Sequence, residues 1–140
     1  MRRTPRHRRA DAKARGYETR ICEGEAVRDH LYLLAPDFTD PAYPDRRFYC
    51  WHCALMEGVL AGFPALAARL DVSRLPWPRP RQALVARVGA ANQSLPLLVL
   101  APDAPDDLAT GRHGEVRFID DKDAILRALH RRHGFPEAHP

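Results

Sequence analysis

Runs of apolar residues and helical periodicities alternate along most of the chain. The apolar runs predict four strands, near residues 29–34, 70–75, 97–100 and 115–119. Apolar residues three and four positions apart predict three helices, near residues 50–62, 81–88 and 124–133. The order β-α-β-α-β-β-α indicates an α/β fold whose four-stranded mixed sheet is flanked by helices.

The connections between these elements carry turn and capping signals. Residues 102–114 are rich in Pro, Asp and Gly, so we predict a loop there, with the third and fourth strands paired as a hairpin. Asp120 and Asp121 precede the last helix, and one of them is expected to be its N-cap. Gly134 follows the basic end of that helix and predicts its termination.

The first 27 residues differ from the rest of the chain. They contain few large apolar residues, which predicts a disordered basic extension followed by a single domain over residues 28–140. Residues 1–20 contain eight Arg or Lys against two acidic residues, whereas the remainder contains 14 against 16. The net charge of +4 therefore originates in the extension. Such a segment suits phosphate contacts, but a solvated tail is the simpler interpretation, and nucleic acid is not an expected partner.

The chain contains no predicted membrane or secretion segment. The arginine-rich start is not followed by the apolar stretch of a signal peptide. The longest apolar run, residues 95–101, is too short to cross a membrane. We therefore expect a cytoplasmic protein without a membrane partner.

Two cysteines, Cys50 and Cys53, open the first predicted helix, with Trp51 and His52 between them. The apolar residues that follow predict the buried face of that helix: Leu55, Met56, Val59, Leu60 and Phe63. Unpaired N–H groups and the helix dipole stabilise a thiolate at a helix start. Because the thiolate is the form that attacks disulfides, the pattern predicts Cys50 as nucleophile and Cys53 as resolving thiol.

Other interpretations of the two cysteines remain open from the residues alone. A zinc site would combine them with His52 and a further ligand, His30 or His113. The chain has no second Cys-x-x-Cys pair to complete such a site, and we predict no metal. Burial of both cysteines for packing alone is a further alternative. His52 would favour the thiolate when protonated, or would be an exposed residue at the rim.

The element order, the position of the Cys-x-x-Cys motif and a proline opening the third strand resemble the thioredoxin-like fold over residues 29–134. Gln93-Ser94-Leu95-Pro96 corresponds to the segment that carries a cis-proline in that fold. Residues 118–125 resemble the strand-to-helix junction at which glutaredoxins and the N-terminal domain of glutathione transferases hold the γ-glutamyl end of glutathione. The chain is also similar to an uncharacterised bacterial family of thioredoxin-like proteins with Tyr-Cys-Trp-His-Cys and Gln-Ser-Leu-Pro segments.

The resemblance implies roles for residues outside the motif. In the cis form, Pro96 would expose the backbone of Leu95 to pair with an extended substrate, whereas a trans proline would merely open an edge strand. Asp120 and Asp121 would hold the ammonium of a γ-glutamyl group, together with or instead of capping the helix. An exposed Trp51 would form a docking surface beside the reactive thiol.

The sequence thus predicts a thiol–disulfide oxidoreductase that acts on protein or small-molecule disulfides. It would need no bound cofactor, with glutathione as a conceivable co-substrate. The predicted catalytic residues are Cys50, Cys53 and His52. The predicted substrate-binding residues are Trp51, Leu95, Pro96, Asp120 and Asp121. The alternative is a non-catalytic thioredoxin-like binding module that holds glutathione, a peptide or a metal in the same groove.

Overall fold

The computed structural model describes residues 27–140. The predicted basic extension, except for its last residue, and Cys22 lie outside the described residues. Five strands are present in the described part: β1 (His30–Leu34), β2 (Asp71–Leu75), β3 (Leu97–Val99), β4 (Gly111–His113) and β5 (Val116–Ile119). The described helices are α1 (Trp51–Gly62), α2 (Pro64–Ala67), α3 (Gln82–Val88) and α4 (Lys122–His133), with a 3-10 turn at Asp106–Leu108. The prediction of a mixed α/β protein is confirmed.

The five strands form one mixed sheet in the order β2-β1-β3-β5-β4. β1 runs parallel to β2 and antiparallel to β3. β5 is antiparallel to both β3 and β4. The predicted antiparallel pairing of the third and fourth predicted strands is therefore present, as β3 with β5.

The prediction of four strands was wrong, because β4 forms within the segment that was predicted to be a loop. Its three residues, Gly-Arg-His, lack the apolar alternation that identifies a strand. β4 pairs with β5 in the register Gly111↔Phe118, and a Cβ atom at Gly111 would overlap the Phe118 ring. A glycine, which usually disfavours a strand, is what allows this strand to pack closely.

Helices cover both faces of the sheet. On one face, Leu31, Leu33 and Ile119 pack against α1 and α4. On the other face, Tyr32 and Phe118 pack with α3. Consecutive β1 residues point to opposite faces, as strand geometry requires, so β1 is buried on both sides as its continuous apolar run predicted.

The buried face of α1 differs in part from the predicted one. Its fully buried positions are Cys53, Met56 and Leu60. Leu55 and Phe63, which were predicted to face inward, are 40% and 39% exposed. The buried face of α1 begins at Cys53, and a helix whose buried face contains Cys53, Met56 and Leu60 places Leu55 towards solvent.

Residues at both ends of α4 fix this helix. Asp121 is its N-cap and accepts a hydrogen bond from the backbone N–H of Ala124, as predicted. Gly134 ends it in the left-handed conformation, with φ of 76°. Asp29, at the entry to β1, binds Arg132 and His133 in the last turn of α4. Among residues 27–140, no helix has the length and apolar character needed to span a membrane.

Candidate functional site

The predicted site residues lie at one edge of the sheet, which we call the dithiol edge. β1 and the parallel β2 both end there, and the chain passes from β1 through the loop of residues 35–49 to α1. β3 starts at this edge, because Tyr32 pairs with Leu97 in the antiparallel ladder. β5 ends there for the same reason, with Ile119 beside Leu98. The topology therefore gathers the start of α1, the Leu95-Pro96 segment and residues 120–121.

Cys50 is the N-cap of α1. Its backbone is extended, and its sulfur accepts a hydrogen bond from the backbone N–H of Cys53, with N···Sγ of 3.3 Å. The side chain is partly exposed. The sulfur thus meets an unpaired N–H of the first helical turn, as the sequence predicted.

Cys53 is buried, with 2% of its surface exposed. Its sulfur accepts a hydrogen bond from the backbone N–H of Leu34, with N···Sγ of 3.4 Å. Burial raises the pKa of the Cys53 thiol to about 12; the Leu34 N–H lowers the pKa, and neighbouring Cys50 raises it further. The two thiols are free and close together, yet one contacts solvent and the other lies in the core.

Trp51 and His52 lie at the surface beside Cys50. Trp51 is 67% exposed, as predicted, and His52 is partly exposed. The two rings are in contact, with centroids 3.8 Å apart. Lys122 Nζ lies 6.0 Å from the Trp51 ring centroid. The first residue of α4 therefore reaches the Cys-x-x-Cys motif.

The two segments that carry the other predicted substrate-binding residues lie at the dithiol edge. The Leu95–Pro96 peptide bond is cis, as predicted, and Leu95 packs against the apolar cluster that includes Cys53. Asp120 accepts a hydrogen bond from Thr110 Oγ1 at 2.7 Å and is exposed. Asp121 is exposed as well and is engaged as the helix cap. Binding of an ammonium group by these aspartates stays a prediction.

Arg81 is a residue at this edge whose contacts were not predicted from the sequence. Its guanidinium donates hydrogen bonds to the carbonyl oxygens of Pro76, Trp77 and Gln93, and its side chain is nearly buried. Burial lowers the pKa of Arg81 and neighbouring Arg79 lowers it further, whereas Cys53 and Cys50 raise it. The sequence placed Arg81 only at the start of a helix, because no local pattern encodes contacts with distant carbonyl groups.

A pocket of about 640 Å³ opens beside the two cysteines. We call it the Cys50 pocket; its walls come from the end of β1, the loop that follows and the first two turns of α1. Apolar walls are provided by Leu34, Pro36, Phe48 and Ala54. This pocket could not be predicted from the sequence, since its walls come from segments whose relative positions depend on the fold.

The loop that shapes this pocket is held by several contacts. Phe38 and Phe48 form a pair of backbone hydrogen bonds of 2.9 and 2.7 Å across it. Arg47 forms a salt bridge with Asp37. Arg46 lies over the Phe48 ring, 5.1 Å from its centroid. Both arginines therefore have partners within the loop.

His30 and His113, the two histidines considered as the further zinc ligand beside His52, lie apart from the cysteines. His30 lies at the start of β1, opposite the dithiol edge, where it contacts Ser73 and Arg87. His113 is in β4, at the far side of the sheet. Within residues 27–140, no group of three or more His, Cys, Asp or Glu side chains is arranged to hold a metal ion.

Comparison with known proteins gives the family of the chain. A family described as "Protein of unknown function (DUF3088)" matches residues 28–137, nearly the whole of the described part. The chain therefore belongs to the DUF3088 family. No curated protein and no solved structure matches it.

Proposed function

We propose that the protein is a thiol–disulfide oxidoreductase with a thioredoxin-like fold, in which Cys50 attacks and Cys53 resolves. The observation that carries the proposal is the 3.3 Å contact between the partly exposed sulfur of Cys50 and the backbone N–H of buried Cys53. An accessible sulfur that accepts a hydrogen bond from a backbone N–H at a helix start is suited to nucleophilic attack. A second thiol one turn deeper is suited to close a short disulfide.

The sheet supports the thioredoxin-like part of the proposal. A first strand that lies between a parallel second strand and an antiparallel third strand agrees with that resemblance. The structure has two elements beyond the predicted order, the strand β4 at one edge of the sheet and the short helix α2. Both are separated along the chain from the Cys-x-x-Cys motif. They leave the common order of strands and helices intact.

The proposed reaction proceeds by two thiol–disulfide exchanges. The Cys50 thiolate attacks one sulfur of the substrate disulfide, forms a mixed disulfide and releases the first substrate thiolate, which takes a proton from water. Cys53 then loses its proton and attacks the Cys50 sulfur, which releases the second substrate thiolate. The dithiol is oxidised by two electrons and the substrate is reduced. Two molecules of an external thiol such as glutathione then reduce the protein disulfide back to the dithiol and are themselves oxidised to a disulfide.

The test uses the full chain with Cys22→Ser and measures reduction of bis(2-hydroxyethyl) disulfide in the presence of glutathione. We expect turnover with both cysteines present, none with Cys50→Ser, and a trapped mixed disulfide with Cys53→Ser by intact mass. Unchanged turnover in Cys50→Ser would refute the proposal. Absence of turnover together with glutathione binding by calorimetry would favour the alternative, a non-catalytic binding module.

A further inference from the structure

The Cys50 pocket does not include the two segments at which the resemblance suggests substrate binding, residues 95–96 and 120–121. The pocket includes both cysteines, but its walls do not contain Leu95, Pro96, Asp120 or Asp121. It is formed instead by the chain between β1 and α1, together with the exposed side of the first two turns of α1. The pocket beside Cys50 is therefore lined by other residues than those at which the resemblance suggests a γ-glutamyl group.

The charges of the pocket disfavour an anionic occupant. Its walls carry two carboxylates, Asp37 and Glu57, and one guanidinium, Arg47. Arg47 is paired with Asp37, and Glu57 is paired with Arg74 at 2.7 Å. Among the described residues that line the pocket, no cation is left for the carboxylates of glutathione.

The remaining walls favour an apolar occupant. Leu34, Pro36, Phe48 and Ala54 present carbon surface, and burial of apolar groups against such surface is the main source of affinity for small ligands. The volume of about 640 Å³ falls within the range of small-molecule sites. The Phe38–Phe48 backbone pair fixes the outer wall, so little ordering is needed on binding.

We propose that the Cys50 pocket binds the apolar organic group of a low-molecular-weight disulfide and presents the sulfur of that group to Cys50. This inference rests on the proposed function and names its substrate class. In the first exchange, the Cys50 thiolate forms a bond to the sulfur that carries the apolar group. The S–S bond of the substrate breaks, and the other thiol leaves as a thiolate and is protonated by water.

The experiment measures reaction of Cys50 with three methanethiosulfonates in the full chain carrying Cys22→Ser and Cys53→Ser. The reagents transfer a methylthio, a benzylthio or an anionic sulfonatoethylthio group and release methanesulfinate. Rates come from intact mass and are divided by the rates with free 2-mercaptoethanol. We expect the normalised benzyl rate to exceed the methyl rate by roughly tenfold, and the anionic reagent to show no gain.

Two substitutions separate pocket binding from general reactivity. Ala54→Phe should fill the pocket and abolish the benzyl preference. Ala54→Leu is the second variant, used if Ala54→Phe does not fold, and should reduce the preference. Ala61→Phe, at an exposed position of the same helix outside the pocket, should retain the preference.

Two results would overturn the inference, and they are distinguishable. The inference would be overturned by equal normalised rates for the benzyl and methyl reagents, or by a benzyl preference that survives both substitutions at Ala54. In either case, turnover of bis(2-hydroxyethyl) disulfide would still support the proposed function. A Cys50 that reacted with none of the reagents would overturn both.

Discussion

The sulfur of Cys53 accepts a hydrogen bond from the backbone N–H of Leu34, the last residue of β1, at 3.4 Å. β1 lies between β2 and β3 with its central residues buried, so this bond ties the inner thiol to an interior strand of the sheet. The sulfur of Cys50, three residues earlier, is partly exposed and accepts a hydrogen bond from the first turn of α1. The two thiols therefore differ sharply in environment although they belong to one motif.

This difference predicts selective alkylation of Cys50. Because burial raises the pKa of Cys53 to about 12, the thiol form of Cys53 dominates at pH 8. At pH 8, we expect iodoacetamide to modify Cys50 in the reduced, folded protein at least about a hundredfold faster than Cys53. Peptide mass mapping after timed quenching measures both rates.

The control for this prediction is the same labelling in concentrated guanidinium chloride, where both cysteines should react at similar rates. In folded Cys50→Ser, the alkylation of Cys53 should remain slow, although loss of the Cys50 thiol removes one contribution that raises the pKa of Cys53. Rapid labelling of Cys53 in the folded protein would show that it is accessible and ionised, contrary to its buried position.

Asp29 provides a second prediction, because it joins the entry of β1 to the end of α4. Its side chain is fully buried; Arg132 Nε and His133 Nε2 lie 2.6 and 2.7 Å from its Oδ2. Burial alone would raise the pKa of Asp29, but the hydrogen bonds from His133 and Arg132 outweigh burial and hold the pKa well below its ordinary value. We expect Asp29→Asn to lower the free energy of unfolding at pH 7 by about 3 kcal/mol, measured by urea denaturation.

The pH dependence follows from the direction of that shift. A carboxyl whose pKa is lower in the folded than in the unfolded state stabilises the fold above the unfolded value, about 3.9, and the contribution is lost as the pH falls below it. The stability of the parent protein should therefore begin to fall below about pH 5 and continue to fall as the pH is lowered through the folded-state pKa of Asp29, and that of Asp29→Asn should fall less. Asp71→Asn, which alters an exposed pair with Arg28 at 3.7 Å, should change stability by less than about 1 kcal/mol. A similar loss in both variants would contradict the assignment.

Features that depend on local chemistry were predictable from the sequence. Cys50 at the start of α1, Asp121 as the cap of α4 and Gly134 at its end were all predicted, because capping depends on residues within one turn of each other. The exposure of Trp51 was also predicted, from its place between the two cysteines. These residues fix one side of the candidate site.

Features that depend on distant partners were not predictable. The carbonyl groups that Arg81 binds belong to two separate connections, and no periodicity links them. The Cys50 pocket arises from the path of the loop after β1, which is set by the Phe38–Phe48 pair. β4 has only three residues and no apolar pattern. It is a strand because it pairs with β5, which no local pattern in its sequence predicts.

The short strand β4 provides the last prediction. In Gly111→Ala, the added Cβ would overlap the Phe118 ring, and Phe118 is buried against the α3 side of the sheet. We expect Gly111→Ala to lower the free energy of unfolding by about 1–3 kcal/mol, as overpacking of a core usually does. Urea denaturation monitored by circular dichroism measures the change.

Gly58→Ala is the matched control, since it makes the same substitution at an exposed position of α1 with no neighbouring atom within 4 Å of the new Cβ. Because alanine restricts the unfolded chain and favours a helix, we expect Gly58→Ala to stabilise the protein by about 0.5–1 kcal/mol. The two variants should therefore move stability in opposite directions. If Gly111→Ala were as stable as the parent, Gly111 would not lie against Phe118, and β4 would not belong to the sheet in this register.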